Sequence, residues 1–544
     1  MSAASDMTRR FIQALRSSSS KSLLLAIAAG ALSATAFPPL NLWPIGLICF
    51  SIFSQLIWRA GTVTIAAVIG WFFGFGHMTI SNNWIATAFT YQSDMPQILG
   101  WLAVPLLCTY LAIFPAIASG VAFLIARKGG NLVFVTGLAG CWIITEWSRS
   151  WIFSGYPWPP LSMMFVGDYT NPGLAFLLPW LGTYALSGLV ILISGAFGIF
   201  VSRRHWAKAS LIVALTSVLM IIPMSKKFDN ERGIPFLIVQ PLIPQEERED
   251  PLKFEEHFGR LAQLTDNKDS QYQPRLVLWP EAAIPDYIED GYPYRYYRSR
   301  TAGADPIFAR ERLGSLIGEG SVLLAGFVHL NIGEIDGRKR ATSARNAVSA
   351  LDHNGEIFAN YSKSHLVPFG EYLPLRSILE PLGASRLVAG SIDFIAGPGP
   401  RTIDLNQFGK AATPICYEIV FSGNVVDRLD RPQFIFNPSN DGWFGAWGPP
   451  QHLAQARMRA IEEGLPVLRA TTTGISAVID ANGLVVSSLE SGSPGRISGV
   501  IPPAFSETLF GRFGSFLTLF WAVTLLVLSF VAVRFRSAKK KMYT

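Results

Sequence analysis

Long apolar runs, separated by short polar gaps, dominate the chain up to about residue 224. A helix that crosses a bilayer needs roughly 20 apolar residues. On this criterion the pattern predicts eight spans, at 23–37, 40–58, 62–80, 98–126, 131–147, 173–201, 209–224 and 515–533. The sequence therefore predicts a multi-span α-helical membrane bundle of eight spans.

Between residues 225 and 508 the pattern changes to short apolar stretches separated by polar segments with helical periodicity. The stretches are rich in β-branched and aromatic residues, which favours strands. They are PFLIVQ (235–240), RLVLWP (275–280), SVLLAGFV (321–328), QFIFN (433–437) and ISAVID (475–480). The segment 451–464 instead predicts a helix that ends at Gly464. Strands that alternate with helices predict an α/β domain whose sheets are covered by helices.

The chain of 544 residues thus divides into an N-terminal membrane bundle of seven spans (1–224), a globular domain (225–508), and a C-terminal span with a basic tail (509–544). Charged residues make up 15% of the chain, against about 25% in a soluble protein, and the deficit lies in the apolar runs. The formal net charge is +7. Because much of the basic excess lies beside the spans, it indicates membrane topology and not a nucleic-acid partner.

Basic residues occur in every second gap between the predicted spans, as the positive-inside rule expects of cytoplasmic gaps. They are Arg9, Arg10, Arg16, Lys21, Arg59, Arg127, Lys128, Arg203, Arg204, Lys208, Arg534, Arg536 and Lys539 to Lys541. Lys226 and Lys227 depart from this pattern. The pattern predicts that both termini are cytoplasmic and that the globular domain lies outside, on the periplasmic side of a bacterial inner membrane.

Two alternatives concern the membrane segments. The first apolar run ends in SATAF, which resembles a signal-peptide cleavage site, although the Pro38-Pro39 pair that follows disfavours cleavage. Cleavage leaves the globular domain on the same side of the membrane. Ion-coupled transport usually places ionisable residues inside spans, and the predicted spans hold little beyond His77 and Glu146. We therefore favour a bundle that anchors the globular domain over a transporter.

Cys416 is the only cysteine of the globular domain, since Cys49, Cys108 and Cys141 lie in predicted spans. An unpaired cysteine outside the cell is a liability unless it is used. The alternative is a small buried apolar residue. The run KAATPIC predicts a strand followed by a turn, which places the thiol where a neighbouring base can activate it.

Two further residues have the chemistry that a reactive thiol needs. Glu281 follows the strand LVLWP, at a strand end where α/β sheets place functional residues, although a solvated turn carboxylate is the alternative. Lys363, in YSKSHLVPFGEYLP, is otherwise a surface charge. A carboxylate can take the proton of the thiol, and a lysine can stabilise an oxyanion. The three residues together predict acyl transfer through a thioester, and no motif for a cofactor or metal accompanies them.

The motifs WPEAAIP, YSKSHLVPFGEYLP, PICYEIVF and NPSNDGWFG resemble those of the nitrilase, or carbon–nitrogen hydrolase, superfamily, in the order Glu, Lys, Cys. With spans on both sides, the chain resembles the membrane branch of that superfamily, the apolipoprotein N-acyltransferases. The resemblance implies an αββα sandwich for the globular domain. Pro241 departs from the family pattern, which has a small or polar residue after the glutamine.

The resemblance also implies roles for individual residues. Cys416 is expected to be the nucleophile, Glu281 the general base and Lys363 the oxyanion stabiliser. The expected supporting residues are Glu371, Tyr417 and Glu418. The implied reaction moves an acyl chain from a phospholipid, through Cys416, to the N-terminal amine of a diacylglyceryl-cysteine on an apolipoprotein. The alternatives are a membrane-tethered amidase that uses water as the acceptor, and a non-enzymatic receptor on the same fold.

Three stretches of the globular domain are candidates for contact with lipid. The loop 440–450 carries Trp443, Phe444 and Trp447, and tryptophan is favoured at membrane interfaces. The stretch 373–390 is apolar and lies between two of the motifs, and 291–300 carries arginines suited to phosphate head groups. Ordinary packing or solvation is the alternative for each.

Overall fold

The computed structural model describes residues 20–91, 98–222, 233–266, 273–379, 381 and 392–542. The chain forms two compact units. One consists of Met1–Ala86, Gln97–Met224 and Thr508–Thr544, and the other of Thr87–Pro96 and Ser225–Glu507. Across the described residues the first unit is helical, and every named strand belongs to the second.

The α-helices that precede and follow the strand-rich part are numbered in chain order. They are α1 (Ser20–Ser33), α2 (Trp43–Trp58), α3 (Val63–Ser81), α4 (Ile85–Ala88), α5 (Ile98–Leu111), α6 (Ile113–Ala126), α7 (Asn131–Arg149), α8 (Leu178–Ser202), α9 (Trp206–Ile221), α15 (Leu509–Phe513) and α16 (Ser515–Met542). Helix α8 is kinked at Gly182, whose φ of 72° lies in the left-handed region. A Cβ there would lie 2.2 Å from Cε2 of Phe510, so only glycine fits this kink.

Four helical stretches within the described residues are long and apolar enough to cross a membrane. They are Val63–Ser81, Gly100–Gly129, Leu174–Ser202 and Ser515–Ala538, and shorter apolar helices occupy Ser20–Ala36, Trp43–Trp58 and Trp206–Ile221. These helices support the prediction that the chain is a membrane protein. The count of eight spans stays a prediction, because the other predicted spans fall short of the length or hydropathy that a crossing helix needs.

The two ionisable residues that the sequence places inside predicted spans have structural partners. Nδ1 of His77 lies 2.7 Å from the hydroxyl oxygen of Ser33. Oε1 of Glu146 accepts a hydrogen bond from the amide of Leu161 at 2.8 Å and lies 3.8 Å from the Arg149 guanidinium. Buried polar groups need such partners, so both residues stabilise the fold of the bundle.

The second unit contains two six-stranded sheets. The first sheet has the order β12-β1-β2-β3-β4-β5, with β1 (Pro235–Gln240), β2 (Leu276–Leu278), β3 (Val322–Ile335), β4 (Arg338–Asp352), β5 (Ile357–Ser362) and β12 (Gly495–Val500). The second has the order β11-β10-β9-β8-β7-β6, with β6 (Thr402–Asp404), β7 (Lys410–Ala412), β8 (Phe434–Ser439), β9 (Val467–Thr471), β10 (Ala477–Ile479) and β11 (Val485–Ser488). The central strands β1 to β3 are parallel, as are β7 to β9.

Helices accompany the sheets of this unit: α10 (Phe254–Thr265), α11 (Tyr294–Arg300), α12 (Pro306–Ile317), α13 (Arg376–Leu379) and α14 (Gly448–Glu463). Strand β1 shows how the layers are built. Phe236 and Ile238 face a core shared by both sheets, while Leu237 and Val239 face a second core formed with α10 and α12. Because side chains alternate between faces, an unbroken apolar strand belongs between two covered faces. The two sheets with their helical cover agree with the predicted αββα sandwich.

Local sequence signals located the elements well. All five predicted strands are present, although SVLLAGFV continues to Ile335 and RLVLWP is shortened to Leu276–Leu278. The helix predicted over 451–464 begins slightly earlier and ends at Glu463, with Gly464 in the left-handed conformation as its cap. The strand predicted for KAATPIC covers only Lys410–Ala412. The segment that leads into Cys416 is therefore a loop.

Candidate active site

Glu281 follows the end of β2, and its backbone packs directly against the neighbouring strand β3. A Cβ on Gly326 of β3 would lie 2.8 Å from the Cα of Glu281 and 2.4 Å from the amide nitrogen of Ala282. A residue with a side chain at 326 would therefore displace the Glu281 backbone. Glu281 is 6% exposed, so its carboxylate is held inside the domain.

Lys363 directly follows β5, and its ammonium group lies between two carboxylates. Nζ is 3.4 Å from Oε1 of Glu281 and 3.1 Å from Oε1 of Glu371. Burial acts to lower the pKa of Lys363, but Glu371 and Glu281 outweigh it and raise the pKa above its usual value. Lys363 is therefore a permanent cation, and the structure brings three of the predicted residues together around it.

Asn346 of β4 joins the two carboxylates and was missed by the sequence analysis. Its Nδ2 donates to Oε1 of Glu281 at 2.7 Å and to Oε1 of Glu371 at 2.8 Å. The backbone carbonyl of Asn346 accepts from the amide of Lys363 at 2.8 Å. No local feature of the stretch RNAVSAL marks this asparagine, because its partners are contributed by distant segments.

Cys416 begins a short 3-10 turn, Cys416–Val420, and has a φ of 49°. The left-handed region is costly for a residue other than glycine and persists only where the surroundings enforce it. The Cys416 thiol lies beside the Glu281 carboxylate and the backbone amide of Asn440, both of which act on its charge. The structure therefore joins the three residues of the predicted triad.

The protonation states in the triad follow from burial and charge. Burial, reinforced by Glu281, raises the pKa of the Cys416 thiol well above its ordinary value. Burial also acts to raise the pKa of Glu281, but the Lys363 ammonium and the Asn346 amide outweigh it and lower the pKa. A neutral thiol thus lies beside an ionised carboxylate, as the predicted roles of nucleophile and general base require.

Glu418 joins the loop that carries Lys363 to the loop that carries Cys416. Its Oε1 accepts hydrogen bonds from the amide of Ser364 at 2.7 Å and from the amide of His365 at 3.1 Å. Its Oε2 accepts from the amide of Ile415 at 2.8 Å, and the Tyr361 hydroxyl donates to both oxygens. Glu418 is 3% exposed. This predicted supporting residue therefore links Lys363 and Cys416 without contacting either side chain.

Tyr417 reinforces the same junction through aromatic packing. Its ring meets Phe421 edge-on, with centroids 5.1 Å apart, and Phe421 stacks on His365 at 3.8 Å. Such aromatic pairs are worth about 0.5–1.5 kcal/mol beyond the area that they bury. Tyr417 thus helps to fix the turn that holds the nucleophile.

A buried polar cluster lies behind Cys416 and is a second feature that the sequence analysis did not assign. Asp441, His452 and Arg469 are each 0% exposed at the side chain. Oδ1 of Asp441 lies 2.9 Å from Nδ1 of His452, and Oδ2 accepts from Arg469 at 2.7 Å. Nε2 of His452 lies 3.1 Å from the backbone oxygen of Cys416. The motif NPSNDGWFG, which contains Asp441, was the available signal.

Electrostatics hold this cluster in place. Burial acts to raise the pKa of Asp441, but Arg469 and His452 outweigh it and lower the pKa. Burial, followed by the Arg469 guanidinium, lowers the pKa of His452. Asp441 is therefore an ionised carboxylate whose charge is balanced by Arg469, as a buried charge requires.

The three aromatic residues proposed to meet lipid are only partly exposed. Trp443 contacts Tyr91 with ring centroids 6.0 Å apart, and Phe444 meets His452 at 5.5 Å. Phe444 therefore packs on the polar cluster behind the nucleophile. Lipid contact by Trp443, Phe444 and Trp447 stays a prediction.

The other two candidates for contact with lipid are the stretches 373–390 and 291–300. Of the stretch 373–390, residues 380 and 382–390 lie outside the described residues, and Leu375 is 70% exposed. In 291–300, Arg300 forms an ion pair with Glu249, and the Arg295 guanidinium donates to the carbonyl of Lys339. Both arginines thus have protein partners, and head-group binding stays a prediction.

The two sheets, with Glu281, Lys363 and Cys416 on the segments that follow β2, β5 and β7, indicate the class of protein. The family model of carbon–nitrogen hydrolases matches residues 239–505, so this part of the chain belongs to the nitrilase class of enzymes. A second family model, the N-terminal domain of apolipoprotein N-acyltransferase, matches residues 29–196.

Full-length relatives identify the family more closely. The apolipoprotein N-acyltransferase of Rhodopseudomonas palustris is 32% identical over 520 residues, which are 91% of this chain and 92% of that protein. The enzyme of the same name from Bradyrhizobium diazoefficiens is 32% identical, with 96% of each chain covered. That from Allorhizobium ampelinum is 33% identical, with 93% and 94% covered. The chain therefore belongs to the apolipoprotein N-acyltransferase family and is an acyltransferase.

Proposed function

We propose that the protein transfers an acyl chain from a phospholipid to the N-terminal α-amine of a diacylglyceryl-cysteine on an apolipoprotein. The observation that carries this proposal is the buried contact of the neutral Cys416 thiol with the ionised Glu281, beside the permanent cation Lys363. The names of the relatives support the acceptor class. The apolar helices support a lipid donor, since they keep the enzyme in the membrane where phospholipid is found.

In the first half-reaction, Glu281 takes the proton from Sγ of Cys416 as the sulfur attacks the ester carbonyl carbon. The developing oxyanion is stabilised by Nζ of Lys363. The tetrahedral intermediate collapses by breaking the bond to the glycerol oxygen, which receives the proton from Glu281. A lysophospholipid leaves, and Cys416 retains the acyl chain as a thioester.

In the second half-reaction, the neutral α-amine attacks the thioester carbonyl, and Glu281 accepts a proton from the amine nitrogen. Lys363 again stabilises the oxyanion. The C–S bond breaks, the sulfur takes up the proton that Glu281 holds, and the acyl chain remains on the acceptor as an amide. Because the lysophospholipid leaves before the acceptor amine reacts, the kinetics should be ping-pong.

Asn346 and Glu371 keep the charges around Lys363 balanced through this cycle. The Lys363 ammonium lies between two carboxylates that share one amide donor. When Glu281 takes up a proton in the intermediate, the Glu371 carboxyl group remains 3.1 Å from the Lys363 ammonium. This role explains why a second glutamate, Glu371, lies at the site although the proposed mechanism gives it no contact with the thiol.

We further propose the topology that the charge pattern predicts. The chain has eight spans, both termini are cytoplasmic, and the domain at 225–508 faces the periplasm of a bacterial inner membrane. Alternation of basic gaps supports this orientation. A periplasmic domain would also meet lipoproteins that have already crossed the membrane.

The test is to incubate purified protein with phospholipid alone and to measure the mass of the peptide that contains Cys416. An acyl adduct that hydroxylamine removes, and that is absent in Cys416→Ala, is the expected result. Adding a diacylated lipopeptide should then discharge the adduct and yield an N-acylated product. Release of the acyl chain only to water would instead indicate an amidase-like hydrolase, and absence of an adduct in folded protein would overturn the two-step mechanism.

A further inference from the structure

The backbone around the nucleophile is held from behind at two carbonyl groups. Cys416 has a φ of 49°. This conformation is unfavourable for a cysteine and persists only if surrounding contacts stabilise it. Nδ2 of Asn437 donates to the carbonyl of Pro414 at 2.8 Å. Nε2 of His452 lies 3.1 Å from the carbonyl oxygen of Cys416 itself. The His452 contact therefore acts directly on the residue whose conformation is strained.

His452 is itself locked in place. Its Nδ1 lies 2.9 Å from Oδ1 of Asp441 and 3.0 Å from the guanidinium of Arg469. The ring is 0% exposed, so water cannot replace either partner. Since a carbonyl oxygen can only accept, Nε2 must carry a hydrogen whether the ring is neutral or charged. His452 is therefore a fixed donor aimed at the Cys416 carbonyl.

The same cluster also reaches the general base. Asn440, which precedes Asp441, donates its backbone amide to Oε2 of Glu281 at 2.9 Å. That amide also contacts the Cys416 thiol. A shift of Asp441 or His452 would therefore move the nucleophile and the group that orients its base together.

We propose that His452 is a positioning residue for the reaction of Cys416. By donating from Nε2 to the Cys416 carbonyl, it maintains the left-handed turn that keeps the thiol against Glu281 and the Asn440 amide. His452 contacts the backbone of the nucleophile and acts through it. The inference rests on Cys416 being the nucleophile of the proposed function, and it does not depend on which acyl donor or acceptor is used.

Two substitutions separate the contacts of the ring. In His452→Gln the side-chain amide nitrogen reaches the position of Nε2 and can still donate to Cys416. In His452→Asn the amide nitrogen reaches only the position of Nδ1, so it can contact Asp441 but not Cys416. Both variants remove the ring that packs on Phe444. They should therefore lose similar packing stability and differ in which contact is kept, the Cys416 carbonyl in His452→Gln and the Asp441 carboxylate in His452→Asn.

The first readout is the single-turnover rate of Cys416 acylation by phospholipid. His452→Asn should be slower by roughly 10- to 100-fold, because small displacements of a reacting group have effects of that size. His452→Gln should recover most of this loss, and the KM for phospholipid should be similar in both variants. Equal impairment of the two variants, or a wild-type rate in His452→Asn, would overturn the proposal.

The second readout does not require acyl transfer. The pH dependence of Cys416 alkylation by iodoacetamide reports the surroundings of the thiol. In His452→Asn the midpoint of alkylation should move below the wild-type value, because the thiol moves away from the Glu281 carboxylate that raises its pKa, while His452→Gln keeps the wild-type profile. An unchanged profile in His452→Asn would mean that the histidine serves only the fold. If alkylation behaves as expected but no acylation occurs in any variant, the proposed function fails and the positioning role stands.

The chain offers a matched control and a second way to disturb the cluster. His257 is 3% exposed and lies 3.4 Å from Glu247, on helix α10. His257→Asn should leave both readouts unchanged. A Cβ on Gly474 would lie 2.3 Å from Oδ2 of Asp441, so Gly474→Ala displaces this carboxylate while His452 stays intact. It should reproduce the His452→Asn profile, and wild-type behaviour of this folded variant would also overturn the proposal.

Discussion

Nδ2 of Asn346 lies 2.7 Å from Oε1 of Glu281, and the two residues are 65 positions apart in the chain. The same nitrogen donates to Glu371 at 2.8 Å. One amide group therefore orients both carboxylates that flank Lys363. An asparagine suits this position because it donates two hydrogens without adding charge between the two carboxyl groups.

Removing this donor should weaken the general base. In Asn346→Ala, Glu281 loses a charge-assisted hydrogen bond of about 1.5–3 kcal/mol, and its pKa should rise. We expect the acylation rate at neutral pH to fall roughly 10- to 100-fold, with the acid limb of the pH profile moved to higher pH. Asn331→Ala is the control, since Asn331 contacts Ser343 on the same pair of strands. A normal acid limb in Asn346→Ala would contradict this role.

The pH dependence of acylation follows from the two pKa shifts in the triad. Glu281 has a pKa below its ordinary 4.5, and Cys416 has one well above its ordinary 9.0. The reactive state needs the carboxylate ionised and the thiol protonated. Single-turnover acylation should therefore be flat from above pH 4.5 to about pH 9 and should fall as pH decreases through the Glu281 pKa. A rate that rises steadily between pH 7 and 9 would indicate a pre-formed thiolate instead.

Glu418→Gln should separate the two catalytic loops although the side chain is nearly isosteric. The carboxylate accepts from the amides of Ser364, His365 and Ile415, whereas a glutamine has one acceptor oxygen and a donor that would face these amides. We expect acylation to fall by roughly 100-fold and the unfolding temperature to decrease. Glu356→Gln, at an exposed turn, is the control. Acylation above half the wild-type rate would rule out the linking role.

Gly326→Ala tests whether the backbone of Glu281 must lie directly on β3. The added Cβ would come within 2.4 Å of the Ala282 amide nitrogen, so the Glu281 segment has to move. A displacement near 1 Å should cost about 100-fold in acylation. Gly499→Ala on β12 is the matched control, because its Cβ would meet the Phe236 ring at an ordinary van der Waals distance of 3.5 Å. Equal activity of the two variants would show that the close approach is unimportant.

The sequence was sufficient to predict the elements of the second unit because their signals are local. The stretch PFLIVQ, with every residue apolar or at a strand end, predicts a strand, and β1 is one. Glu281 and Cys416 could be singled out because each follows an apolar stretch, and Lys363 because it lies in the distinctive motif YSKSHLVPFGEYLP. Their order along the chain then indicated the family.

Long-range partners explain what the sequence analysis did not find. His452 and Arg469 lie in a helix and a strand whose patterns call for buried residues, and nothing nearby in the sequence distinguishes them from packing residues. Their roles depend on Asp441 and on the Cys416 carbonyl, 11 to 36 positions from His452. Within the predicted span 98–126, which matches the apolar stretch Gly100–Gly129, the break between α5 and α6 at Ala112 is a feature that the apolar pattern does not mark.

The sequence by itself determined which residues could react, because residue type and strand ends are properties of short stretches. Only the tertiary structure decided their protonation states and geometry. Packing of the two sheets buries Cys416 and Glu281 together and places the Lys363 ammonium 3.4 Å from the Glu281 carboxylate. Burial disfavours the thiolate, while the nearby cation favours the carboxylate. Both effects act through space between segments far apart in the chain, and for that reason no local pattern contains them.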